Sequence, residues 1–198
     1  EAKADGCSSQ TYTPSGMQKR IHIVGASCTG TTTLGRALAD HLSIPHLDTD
    51  NYYWKDTPLR YSEKMPIPER IASIEHDISG HSNWILSGSL CSWGEPLITH
   101  FTHVIFLHTT WEVRKARLLT REELRYGKDI LTQKSEQGEI SRAFLQWASR
   151  YDTAGPEQRS LVAHQQWISA LPQNISIFRF DANQPIKQLS EAVLAKFD

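Results

Sequence analysis

Between Gly25 and Thr33 the chain reads Gly-Ala-Ser-Cys-Thr-Gly-Thr-Thr-Thr. Two glycines separated by four residues, with a hydroxyl two places beyond the second, is the spacing of a loop that turns successive backbone N–H groups inward around an anion. Where such a loop opens a helix, the helix dipole adds a favourable field for phosphate. Gly25, Ala26, Ser27, Cys28, Thr29, Gly30, Thr31, Thr32 and Thr33 are therefore the candidate polyphosphate-binding residues, and the Thr32 hydroxyl falls where it can reach a magnesium ion. One position departs from the pattern. Thr31 stands where a lysine ordinarily brings positive charge to the β- and γ-phosphates. The main-chain cradle survives that change, so the loop predicts nucleotide binding more directly than rapid phosphoryl transfer. The plain alternative is a tight glycine turn without a ligand. A dinucleotide-binding turn is disfavoured, because Ser27 occupies the place of its middle glycine.

Asp48 and Asp50 lie two residues apart at the end of an apolar run. Carboxylates there hold magnesium through water or accept a proton from an acceptor hydroxyl; the bland alternative is turn and helix capping. Arg117 and Arg121 are four apart on one expected helix, with Arg114 and Arg125 extending the same face. Guanidiniums in such a row bind phosphate oxygens in pairs. Alternatively, the face is solvated and paired with Glu112, Glu122 and Glu123. Arg150 and Arg159 lie beyond the following polar stretch. Asn51-Tyr52-Tyr53-Trp54-Lys55, with Arg60 and Arg70, offers rings to stack a base or sugar and cations to meet an acceptor phosphate. Equally, Tyr53 and Trp54 pack against a neighbouring helix, and Trp93 carries the same ambiguity. Cys28 sits in the loop at an expected helix start, but no base is placed beside it by sequence, so it is not assigned as a nucleophile. The nine histidines are dispersed without metal-ligand spacing.

Five short apolar runs position these groups: Ile21 to Val24, Ile44 to Leu47, Trp84 to Leu86, His103 to Leu107 and Ile175 to Phe180. Between them, apolar residues recur at helical spacing over Leu34 to Leu42, Pro68 to Ile78 and about Trp111 to Arg125. Two further helices are expected near 139–152 and 157–170, and one over Ile186 to Phe197. Residues 127–138 are polar with little periodicity and predict a mobile loop. Near-continuous apolar strands alternating with helices indicate a parallel sheet covered on both faces, whose ligands bind beyond the carboxyl ends of the strands.

The 198 residues suit one α/β domain, with 39% hydrophobic and 22% charged residues. A formal net charge of −1 offers no overall basic field for nucleic acid. No apolar run is long enough to span a bilayer. Three cysteines (Cys7, Cys28 and Cys91) are odd in number and widely spaced, which points to a reducing, cytoplasmic setting. Residues 1–16 are polar and turn-rich, and read as a leader or tag preceding a domain over 17–198.

The segments GTTTLGRALA, PHLDTDNYYW, WILSGS, VIFLHTTWEVRKARLLTRE and FRFDANQP, in this order, resemble the P-loop small-molecule and nucleoside monophosphate kinases. Within them the chain resembles the adenylate-kinase-like and DNA-topology-modulation-type proteins. The likeness covers roughly residues 19–198, and only the phosphate loop is specific taken alone. It implies a five-stranded parallel sheet of order 2-3-1-4-5 with a lid at about 122–140 and an acceptor-binding segment at about 49–80. It implies ATP as donor, a small-molecule acceptor, and magnesium held by Thr32 and Asp48. Asp50 serves the acceptor, and Arg117 and Arg121 match the RLxxR arginines that flank the lid and touch ATP. The loop Asp181-Ala182-Asn183-Gln184-Pro185 would wrap the adenine. A nucleotide-binding protein with little catalysis remains the alternative, because of Thr31. If Thr31 is a real loss, an arginine from the lid, such as Arg121, could supply the charge.

Overall fold

The computed structural model describes residues 17–197, so the leader expected at 1–16 lies outside the described residues. Its centre is a five-stranded parallel sheet in the order β2-β3-β1-β4-β5. The strands are β1 (Arg20–Gly25), β2 (His46–Asp48), β3 (Trp84–Ser87), β4 (His103–His108) and β5 (Ser176–Asp181). Register places Ile21 beside Ile85 and His103, Leu47 beside Leu86, and Ile105 beside Phe178. All strands run the same way, so Gly25, Asp48, Ser87, His108 and Asp181 end at one edge. Ligands of such sheets bind along that edge.

Strand side chains alternate between two cores, as the pleat requires. Ile21, Ile23, Ile85, Ile105 and Leu107 face α1 (Thr31–Leu42) and α7 (Ile186–Leu194), where Leu34, Leu38, Leu189 and Val193 close the layer. Val24, Trp84, Leu86, Val104 and Phe106 face the other way. There they meet Ile74 and Ile78 of α3 (Ile67–Ser79), Leu97 of a short 3-10 helix (Glu95–His100), and Ile168 of α6 (Leu161–Ser169). His22 enters this second core fully buried. It donates from Nδ1 to the Leu86 carbonyl at 3.0 Å and stacks on Phe101. Burial lowers its pKa to about 4, so it is neutral in the fold.

The expected strands and most helices are present, and their boundaries move for local reasons. α1 begins at Thr31, three residues earlier than apolar spacing shows, because its first turn is the threonine run itself. A four-residue helix, α2 (Asp50–Tyr53), follows β2. α4 (Trp111–Tyr126) stops at Gly127, whose φ of 98° closes it. α5 (Glu136–Ser149) starts inside the expected loop, because the Ser135 hydroxyl caps it by accepting from the Gly138 amide. α6 starts later than expected, because Ser160 caps it through the Ala163 amide. That leaves residues 150–160 as a folded turn segment. Ala154 N donates to the Arg150 carbonyl, Ser160 Oγ to the Gly155 carbonyl, and Leu161 N to the Tyr151 carbonyl.

Candidate active site

The loop after β1 is shaped by its backbone. Thr29 bonds back to the Ala26 carbonyl through both its amide and its hydroxyl, and Leu34 N begins the helix on Gly30 O at 2.9 Å. Cys28 at φ 65° and Gly30 at φ 98° both lie in the left-handed region. Alternation of that kind makes a concave nest of inward amides. A Cβ on Gly25 would come within 2.6 Å of Leu107 O and Thr29 Oγ1, so only glycine fits there. Gly30 makes no side-chain cap to α1, which leaves the helix start open to an anion.

Across the edge, Thr32 Oγ1 donates to Asp48 Oδ2 at 2.7 Å, while Asp48 Oδ1 accepts from the Asp50 amide at 3.0 Å. Asp48 therefore joins the start of α1 to the start of α2. The oxygens of Thr32 and Asp48 suit magnesium, which takes one or two protein oxygens and fills its shell with phosphate and water. Among the described residues no three acidic, histidine or cysteine side chains gather into a metal cluster. Asp50 is exposed at the cleft, yet its carboxyl is held above the usual range, first by surrounding protein that excludes water and second by the Asp48 carboxylate.

The row of arginines on α4 divides into four different environments. Arg114 is 1% exposed and pairs with Asp152, between the rings of Trp111 and Tyr151, so it faces the interior and not a phosphate. Arg117 donates to three carbonyls, those of Cys28, Thr29 and Ala182, and so fastens the phosphate loop to the turn after β5. Arg121 reaches Glu122 at 3.3 Å and lies over Phe144. Glu122 is itself buried and accepts from Ser141. Arg125 donates to the Tyr61 hydroxyl at 3.1 Å. The glutamate-paired alternative is met at Arg121 through Glu122, Arg125 is exposed but bonded to Tyr61, and Arg114 departs from it most.

In the segment expected to meet an acceptor, Arg70 is buried, with Nε on the Met65 carbonyl and its guanidinium 3.8 Å from the Tyr53 ring centre and 5.4 Å from that of Trp93. Tyr53 packs against the core formed partly by α3, as the packing alternative expects. Arg60 and Arg150 are exposed. Arg159 enters from the turn before α6. Its Nη2 donates to Ser27 Oγ of the phosphate loop at 2.6 Å, and its guanidinium lies 4.6 Å from the Trp147 ring centre. A helix drawn through 157–170 hides this placement, and the signal that finds it is Ser160 ahead of an apolar run. The Cys28 thiol is pushed up by burial, against the pull of Arg121, which argues against thiolate chemistry in the loop.

No family model matches the chain. Over 155 residues, 78% of this chain and 85% of the other, it is 47% identical to YqaC of Bacillus subtilis (strain 168), an uncharacterized protein. The chain belongs to the YqaC family. A shorter stretch of 47 residues, 24% of this chain and 27% of the other, is 45% identical to shikimate kinase 2 of Syntrophotalea carbinolica (strain DSM 2380 / NBRC 103641 / GraBd1). A gluconokinase from Sinorhizobium meliloti 1021 superposes with a TM-score of 0.51 at 14% identity, covering 91% of each chain. An uncharacterized protein from Eubacterium ventriosum ATCC 27560 does so with a TM-score of 0.52 at 14% identity, over 91% of this chain and 98% of that one. The fold is that of the P-loop kinases.

Proposed function

We propose that the protein transfers the γ-phosphoryl group of ATP to a hydroxyl or phosphate of a small acceptor. The observation that carries this reading is the Thr32–Asp48 hydrogen bond, which sets a magnesium-competent oxygen pair beside an open main-chain cradle. The amides of residues 25–33 hold the donor phosphates, and Thr32 with Asp48 would hold magnesium, which supplies neutralising charge to them. Asp50, exposed and two residues beyond Asp48, accepts the acceptor proton. The acceptor oxygen bonds to the γ-phosphorus, the bond from that phosphorus to the β–γ bridging oxygen breaks, and ADP leaves. Arg117 sets the shape of the cradle, and Arg121 stands beside it. Residues 49–80 form the acceptor wall, and residues 122–140 close over the donor to exclude water.

The closeness to adenylate-kinase-like proteins belongs to this proposal, as does a cytoplasmic setting, which rests on the use of cysteine. Among the described residues no helix is long and apolar enough to cross a membrane. Thr31 favours a second reading, a nucleotide-binding protein with little turnover. A steady-state phosphotransfer screen with nucleoside monophosphates, hydroxy acids and sugars separates the two. Turnover on any of them supports the kinase. Thermal stabilisation by Mg·ATP without turnover on any acceptor supports the binder.

A further inference from the structure

We propose that Arg159 supplies the positive charge that the phosphate loop lacks at Thr31, and that it contacts the terminal phosphate of the donor. This inference rests on the kinase reading of the same site. Four arginines approach the loop or its rim, and their partners separate them. Arg117 is satisfied by three main-chain carbonyls, Arg121 has the carboxylate of Glu122, and Arg125 reaches outward to Tyr61. Arg159 alone of the four bonds to a side chain of the loop, the neutral Ser27 hydroxyl, and it has no carboxylate within ion-pair distance among the described residues.

A half-buried cation without an anionic partner carries a desolvation cost, which an anionic ligand relieves. The Arg159 Nε is sealed from solvent and unpartnered, while the guanidinium lies over Trp147, 4.6 Å from the ring centre. Burial lowers the Arg159 pKa, as expected of a guanidinium drawn away from water. Its Nη2 touches the loop itself, through Ser27 Oγ at 2.6 Å, where the donor phosphates are proposed to sit. Its segment is anchored from elsewhere, by the pair of buried Arg114 with half-buried Asp152 and by the Leu161 N to Tyr151 O bond. An arginine at that place presents a rigid fork of donors, unlike the point charge of a lysine.

The test compares triphosphate with diphosphate affinity on the full chain, by calorimetric titration of Mg·AMP-PNP and Mg·ADP. Arg159→Gln keeps a flat polar group against Trp147 and Ser27 and removes the charge. It should weaken Mg·AMP-PNP about 10- to 100-fold and leave Mg·ADP within about threefold. Adding Thr31→Lys to that variant should restore most of the loss, whereas T31K alone should change affinity little. Ser27→Ala, which frees the arginine without discharging it, should cost less than R159Q. Equal loss for both nucleotides, or no loss, with wild-type protein binding both, would overturn the role of Arg159 and leave the kinase reading standing. Wild-type protein that binds neither nucleotide would overturn the kinase reading and this role together. A thermal unfolding midpoint for R159Q close to wild type excludes misfolding as the cause of any loss.

Discussion

The two walls of the cleft are built in opposite ways. The proposed donor wall is nine consecutive residues whose shape comes from two positive φ angles, one glycine that admits no Cβ, and bonds within the loop. The proposed acceptor wall depends on side chains of separate segments, Asp50 of α2 and Arg70 of α3, while Arg159, before α6, reaches across to Ser27 of the loop. A site made of main chain tolerates a changed side chain, which is how Thr31 can replace a lysine without dismantling the cradle. A site made of distant side chains depends on every packed element behind it.

The largest expected effect falls on the acceptor wall. Asp50→Asn should lower kcat about 100- to 10,000-fold on whichever acceptor the screen identifies, and leave Mg·AMP-PNP affinity nearly unchanged, measured by steady-state kinetics and titration. A matching loss of nucleotide affinity would mean that the walls are one unit.

Acid should act next. His164 accepts or donates between the Tyr151 and Ser89 hydroxyls beneath the acceptor wall, and burial lowers its pKa to about 3. With His22 at about 4 and an ordinary value of 6.5 for both in the unfolded chain, the unfolded state binds protons first. Stability is then fully present above about pH 6.5 and falls as pH drops toward the folded values. Denaturant midpoints at pH 8, 6.5 and 5 should decline in that order, and H164Q should flatten the slope.

On the donor wall, Gly25→Ala forces a Cβ against Leu107 O and Thr29 Oγ1, and should cost about 1–3 kcal/mol of stability together with nucleotide affinity. Gly80→Ala, where nothing lies within 4 Å and φ is −85°, should be neutral or stabilise by up to about 1 kcal/mol. The smallest effect belongs to the exposed Lys55–Glu63 pair, whose removal by Lys55→Ala should change stability by less than about 0.5 kcal/mol.

The same contrast explains what could be read from the residues alone. Strand runs such as IHIV and HVIFL are apolar on both faces, so the sheet was evident, and glycine spacing marked the cradle. Strand order came with the family resemblance. The arginines on α4 share one face by spacing, but spacing carries no record of what each meets. Asp152 draws Arg114 inward, three carbonyls hold Arg117, and Glu122 takes Arg121. Arg159 was hidden for a local reason, since a helix drawn through 157–170 buries its turn, and only the Ser160 cap separates them. The 3-10 helix at Glu95–His100 has too few residues to show periodicity.

Binding of a polyphosphate by the main-chain amides of residues 25–33, without a lysine, is tested by the backbone amide resonances of the full chain during titration with Mg·AMP-PNP. Saturable shifts should be largest from Ser27 to Thr32, with the Thr32 and Asp48 environments moving together. Amides in the loop that stay unmoved at millimolar nucleotide would contradict it.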